Sequence, residues 1–318
     1  MKTTTCIAAV IAATFALAVP TLSTAQQKNT TAAATKPAAQ KAFASAEDAV
    51  KGLVDAVRAA DVEKLYGVMG ASSRSWLSSG DRVADAADWK RFLAAYDEKH
   101  SIVNEGDAKA VLDVGKDDWP FPAPLVKNAQ GWVFDSDAGR EEVLNRRVGR
   151  NELDTVQTLL AVVDAQREYA AQDSGAHGLA VYATKFASSP GKKDGLYWPT
   201  KAGEPESPLG PLVASAVRGG YGGQSAGSPR AYHGYHYRML IAQGKDAPGG
   251  AFDYRVNGKL FGGFAVVAWP ASYGNSGVQT FIVSHAGVVY AKDLGPNSAA
   301  MAGKMELFNP DKSWKRMP

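Results

Sequence analysis

One amphipathic pattern limits what this chain can fold into. From residue 139 to about 171, Val143, Leu144, Val148, Leu153, Val156, Leu159, Leu160 and Val163 recur at helical spacing within a charged segment. At 1.5 Å per residue such a helix is about 45 Å long. Short runs punctuated by Gly and Tyr follow it: Gly262-Gly-Phe-Ala-Val-Val-Ala-Trp-Pro270, Val278-Gln-Thr-Phe-Ile-Val-Ser284 and Gly287-Val-Val-Tyr-Ala-Lys-Asp-Leu294. These are strand patterns bounded by turn residues. A long helix laid on an antiparallel sheet is an α+β architecture that binds, assembles or supports, and it does not by itself make a catalyst. The first half of the helix is dense in charge, as in Arg140-Glu-Glu-Val-Leu-Asn-Arg-Arg147, and Gly149 is placed to break or bend it. The pattern therefore predicts that the second half, with Leu159 and Leu160, packs on the sheet while Arg146 and Arg147 sit in water.

Upstream, helical periodicity comes first and strand periodicity second. Ser45 precedes Asp48 by three residues, a capping-box variant, and Val50, Leu53, Val54 and Val57 then follow at helical spacing. Asp61 starts a second helix with Val62, Leu65, Val68 and Met69, which Gly70 ends. A third follows Asp81, with Trp89, Phe92, Leu93 and Tyr96 on one side. Residues 108–114, 121–126 and 131–134 are short strand-like runs divided by Asp, Pro and Gly. Three helices and a meander, with Gly131-Trp-Val-Phe-Asp135 at a strand end, resemble the cone-shaped NTF2-like fold. That resemblance implies a bent sheet wrapped around a helix and enclosing a pocket. The expected organisation is an NTF2-like domain over 43–138 and a second α+β domain over 139–318.

The N-terminus reads as an export signal. Lys2 supplies a positive start, residues 7–19 a short apolar core, and Ser23-Thr-Ala25 small residues before a cut at Gln26. Residues 1–25 thus predict a cleaved leader and a periplasmic protein. The core is too short to span a bilayer, which takes about 20 residues, and no later segment approaches a membrane span. Residues 26–42, made of Ala, Thr, Lys and Gln without a large apolar side chain, are expected to be a disordered spacer.

The only cysteine, Cys6, lies inside that leader. Disulfides, a Cys nucleophile and thiolate metal ligands are thereby excluded from the mature chain. The sequence pI of 8.7 is likewise a property of the terminus. Lys2, Lys28, Lys36 and Lys41 precede the first acidic residue, Glu47, so 31 of the 35 Lys and Arg face all 32 Asp and Glu in the remainder. A near-neutral body gives no groove for nucleic acid.

Candidate chemistry is sparse. Gly223-Gln-Ser-Ala-Gly227 matches the G-x-S-x-G pattern, and Asp253 and His285 follow Ser225 in hydrolase order. A nucleophile elbow needs a strand before the Ser and a helix after it, and the flanks here are Gly-rich, so a loop is the simpler reading. His233 and His236 are three apart, and on a strand they point to opposite faces unless the chain turns at Gly234. Within Tyr232-His-Gly-Tyr-His-Tyr237 the expectation is a strand whose aromatic side chains stack on the helix. His285 reads as a turn residue beside Gly287. Asp117 and Asp118 are an acid pair at a pocket mouth or, preferably, a turn before Trp119-Pro-Phe-Pro122. No catalytic residue, metal ligand or cofactor is assigned. Trp119, Trp132, Tyr197, Trp198, Tyr232 and Tyr235 are the candidate binding residues, because aromatic side chains give large contact area with few rotatable bonds.

Almost the whole mature chain is similar to a bacterial exported family that carries only a serial label, domain of unknown function 2950. The segments that carry this are Ser78-Ser-Gly-Asp81, Phe92-Leu-Ala-Ala-Tyr-Asp-Glu-Lys-His100, Asp117-Asp-Trp-Pro-Phe-Pro122, Gly149-Arg-Asn-Glu-Leu153, Asp194-Gly-Leu-Tyr-Trp-Pro199, Ser207-Pro-Leu-Gly-Pro-Leu212 and Asp293-Leu-Gly-Pro296. The resemblance implies no assigned activity. The C-terminal half also resembles type IV pilin-like headgroups, through Arg150-Asn-Glu152, Ala165-Gln-Arg-Glu-Tyr-Ala170, Gly234-Tyr-His-Tyr-Arg238, Gly277-Val-Gln-Thr-Phe281 and Gly287-Val-Val289. It implies a long helix on a small antiparallel sheet. Pilins carry an apolar lead helix where this chain has its charged 140–147, so the headgroup fold carries over and filament assembly does not. The function expected is that of a non-catalytic periplasmic protein that binds another exported protein or an envelope component. A serine hydrolase around Ser225 and a small-ligand binder using the N-terminal pocket are the alternatives.

Overall fold

Three helices open the chain, each started by the side chain its sequence places there. In the computed structural model, which describes residues 40–177, 181–221 and 231–318, Ser45 caps α1 (Ala46–Arg58), Asp61 caps α2 (Val62–Met69) and Asp81 caps α3 (Arg82–Glu98). Each cap oxygen accepts a backbone N–H that the first turn would otherwise leave unpaired. Gln40, the first described residue, donates from Nε2 to the carbonyls of Val68 and Phe134 at 3.1 and 2.8 Å. The expected leader and the spacer up to residue 39 lie outside the described residues, as does Ser225.

An antiparallel sheet follows, made of β1 (His100–Asn104), β2 (Lys109–Val114), β3 (Trp119–Pro120), β4 (Leu125–Asn128) and β5 (Gly131–Phe134). Its order is β1-β2-β4-β5, with β3 pairing a second time on β2. The alternating burial of β2 puts Ala110, Leu112 and Val114 against Val50, Leu53 and Val54 of α1 and Met69 of α2. This is the first of two hydrophobic cores.

The long helix is α4 (Ser136–His177), 42 residues without a break at Gly149. It spans about 63 Å. Its second half meets a second antiparallel sheet of order β15-β13-β12-β11-β6, built from β6 (Tyr235–Leu240), β11 (Ala265–Pro270), β12 (Gln279–Ser284), β13 (Val289–Asp293) and β15 (Lys315–Arg316). Two-residue strands β7 (Ala242–Gln243), β8 (Phe252–Asp253), β9 (Arg255–Val256), β10 (Lys259–Leu260) and β14 (Leu307–Phe308) form two further small sheets, β10-β9 and β14-β7-β8. Helices α5 (Gly210–Ala216) and α6 (Ser298–Gly303) complete the α+β fold. Leu159, Val162 and Val163 of α4 close the second core against Phe281, Ile282 and Val283 of β12, and Leu160 packs on it half-buried.

Two expectations need correction here. Arg147 does not sit in water, being only 8 % exposed, and Arg146 is half-buried. The 232–237 run is also not one strand. His233 and Gly234 both take positive φ, +51° and +74°, and Tyr232 and Tyr235 exchange backbone hydrogen bonds across them. That is the geometry of a two-residue hairpin turn, and Gly supplies the left-handed residue at little cost. His236 then lies on β6 beside Trp269, while His233 Nδ1 is 3.3 Å from Asp154 Oδ2. The described residues fall in one compact unit that holds both cores. Among the described residues no helix is long and apolar enough to cross a membrane.

Candidate functional site

The feature that makes a site possible is the incomplete burial of α3. None of its 17 residues is fully buried, although Trp89, Phe92 and Tyr96 all face the first core. Asp81 holds its N-terminus, with Oδ1 accepting from the Val83 and Ala84 amides at 3.1 Å. Its Oδ2 accepts from Tyr221 Oη at 2.8 Å and from the Gly234 amide at 3.1 Å. Burial and the neighbouring carboxylate push the Tyr221 hydroxyl far above its ordinary pKa, so it stays a donor. Midway, Arg150 of α4 reaches Asp88 of α3 at 2.7 Å. The helix is thus tied at its start and its middle, with its aromatic face turned to the edge of the first core.

The space this leaves is a cleft of about 670 Å³ between α3, the 115–123 connection and the first half of α4. Small-molecule pockets fall at about 300–1,000 Å³. Its wall is a chain of rings. Trp89 meets Phe92 edge-on at 6.0 Å and Phe92 lies 5.4 Å from Phe121, which is backed by the buried Phe134 at 5.8 Å. Met69, Trp76 and Val143 add apolar surface.

The polar side of the cleft comes from α4. Arg146 lays its guanidinium over Trp119 at 4.0 Å and pairs through Nε with Glu142. Arg147 donates to the carbonyls of Trp76 at 2.7 Å and Leu77 at 3.4 Å, and also to Asn275 Oδ1. Desolvation lowers the Arg147 pKa from its ordinary value, opposed by the nearby charges of Asp85 and Asp88. Asn275 in turn donates to the Ser78 carbonyl at 2.6 Å. The 76–81 segment is therefore clamped between α4 and the turn that precedes β12.

Of the six aromatic residues expected to bind, the structure brings Trp119 to the cleft, 49 % exposed. Trp132 pairs its backbone with Phe43 and packs on the first core. Tyr197 and Trp198 pack at the far end of α4, Trp198 edge-on to Tyr169 at 6.5 Å. Tyr232 leans on Tyr221 at 4.9 Å. Tyr235 is wholly buried in the second core, its hydroxyl donating to the Gln279 carbonyl at 3.0 Å. The acid pair divides, Asp117 lining the cleft and Asp118 bonded to Lys99 at 2.6 Å. Sequence reasoning missed Trp76, Arg146 and Arg147. The adjacent Arg146-Arg147 pair between two apolar positions, Val143 and Val148, was the available signal.

The partners proposed for Ser225 do not pair with each other. The Asp253 carboxylate is taken by Arg255 at 2.9 Å, and His285 Nδ1 is buried without a hydrogen-bond partner. Burial lowers the pKa of His285, so it stays neutral near pH 7. Among the described residues no group of three or more His, Asp or Glu is placed to hold a metal ion.

The model of the family described as "Protein of unknown function (DUF2950)" matches residues 40–317, and the chain belongs to that family. No curated protein and no solved structure matches it.

Proposed function

We propose that this protein is a non-catalytic exported binding protein that holds a small ligand in the cleft beneath α3. The carrying observation is the half-buried aromatic pair Trp89 and Phe92 of α3, which lines a cleft of about 670 Å³ at the edge of the first core. Leaving apolar surface uncovered costs about 25 cal/mol per Å², so a ligand that covers it binds with the hydrophobic driving force. The leader-like residues 1–25 support export to the periplasm. The non-catalytic reading is supported by Asp253, whose carboxylate is held by Arg255 and not by His285. Element order supports the two fold likenesses, NTF2-like for three helices and a meander and pilin-headgroup-like for a long helix on an antiparallel sheet. An envelope component or a second exported protein is then the destination or source of what the cleft carries.

The test is a titration with N-phenyl-1-naphthylamine, a neutral probe whose emission rises in apolar surroundings. We expect saturable binding at one site, abolished by Val143→Trp, which fills the cleft from α4. Undiminished binding to a folded Val143→Trp protein would place the probe elsewhere and end this reading.

A further inference from the structure

Three groups at the cleft lack the partner their chemistry requires. Trp76 is only 2 % exposed, and its indole Nε1–H has no acceptor. Arg146 uses Nε on Glu142, but its buried Nη1 has no acceptor either. Arg147 carries a buried positive charge whose hydrogen-bond partners are two backbone carbonyls and an amide oxygen, all neutral. Buried donors are normally satisfied, and buried charges are normally paired with an opposite charge.

The acidic side chains of the cleft do not supply what is missing. Asp88 is held by Arg91 and Arg150, Glu98 by Lys116 at 2.5 Å, and Asp85 accepts from Ser78 Oγ and the Ser79 amide, both at 3.0 Å, while Asp117, the fourth acid of the lining, bonds none of the three groups. Two free N–H donors and one unpaired cation therefore sit on the α4 side, opposite the aromatic face of α3. Every one of these groups asks for an oxygen acceptor, and Arg147 asks for a negative one.

We infer that the ligand is an anionic amphiphile, with an apolar body against Trp89, Phe92 and Phe121 and a single acidic head group directed to Trp76, Arg146 and Arg147. The inference rests on the reading of the cleft as a ligand site. A carboxylate suits the geometry, because a guanidinium donates to it through two parallel N–H groups. The head group completes the hydrogen bonds of Trp76 and Arg146 and places a counter-charge beside Arg147.

The experiment compares dodecanoate, dodecan-1-ol and dodecylammonium by titration calorimetry below their micellar concentrations. The three share one chain and differ in head group. We expect dodecanoate to bind about tenfold or more tightly than the alcohol, since hydrogen bonds to a charged group are among the stronger ones. Arg146→Gln removes most of that preference, lowering the ratio of acid to alcohol affinity toward one. Because Trp76 belongs to the core, its role is read in the unaltered protein, where dodecanoate but not dodecan-1-ol shifts one indole N–H resonance downfield. Equal affinity for acid and alcohol, or a preference for the ammonium, overturns the head-group inference and leaves the cleft as a neutral apolar site. Failure of all three to bind overturns the ligand-site reading as well.

Discussion

The two halves of α4 are held by opposite chemistry. The trailing half buries Leu159, Val162, Val163 and Ala165, all 3 % exposed or less, against the second sheet. Gln166, also wholly buried there, bonds the Ala183 backbone, but the lead half is held mainly by polar groups. Arg147 is 8 % exposed, and Asn151 is 2 % exposed with Nδ2 donating to the Ser276 carbonyl at 2.9 Å. Just beyond them, Glu152 Oε1 accepts from the Val278 and Gln279 amides, both at 2.9 Å. Apolar burial is non-directional and scales with area, so neighbours of similar size serve nearly as well. A buried polar anchor is directional, and removing one partner strands the other. A charged helical face belongs to water only when water is its sole available partner, and here the backbone of 76–77 and of 276–279 takes that place.

The largest expected effect is in the trailing half. Leu159→Ala should cost about 2–5 kcal/mol, seen as a lower urea midpoint, because it removes a wholly buried side chain from close packing. Arg147→Ala comes next, at about 2–3 kcal/mol, since it strands the Trp76 and Leu77 carbonyls and Asn275 Oδ1 together. Arg147→Lys should recover only part of that loss, because one ammonium lacks the planar fork that reaches three acceptors. Periodicity alone puts Arg147→Ala within about 0.5 kcal/mol, the range of solvated surface changes. A measured loss that small would restore the solvated picture of the lead half and dissolve the contrast drawn above.

That contrast marks what could be read in the sequence. The caps at Ser45, Asp61 and Asp81 and the apolar stripe through Leu159 and Val163 were legible, because each is a local pattern with a fixed spacing. Strand β1 was not, since its exposed ends and half-buried centre give no alternation to detect. The turn at His233-Gly234 was hidden by the strand-like residues around it. Trp119, singled out by residue type, lies at the cleft, whereas the placing of Trp76, Arg146 and Arg147 there could not be read from the sequence. Their surroundings are set by three-dimensional neighbours, as where Arg147 bonds carbonyls 70 and 71 residues away in the chain.

The smallest effect bears on whether α4 is one rod or two. Gly149 lies within the polar grip, between Arg147 and Asn151, and its sequence context suggests a break or bend. The helix nevertheless runs through it, and a Cβ built there meets nothing within 4 Å. Glycine inside a helix costs about 0.5–1 kcal/mol relative to alanine, through backbone entropy lost on folding. With space open and φ already helical, Gly149→Ala should stabilise the protein by about 0.5–1 kcal/mol, read as a raised urea midpoint. A straight rod gains from the added propensity without moving either end. If the polar lead half and the apolar trailing half instead need a flexible joint to satisfy both sheets at once, the alanine resists that bend and lowers the midpoint. A destabilised Gly149→Ala protein would mean that the comparison is between two helices that happen to be continuous, and that Arg147 and Leu159 anchor separate bodies.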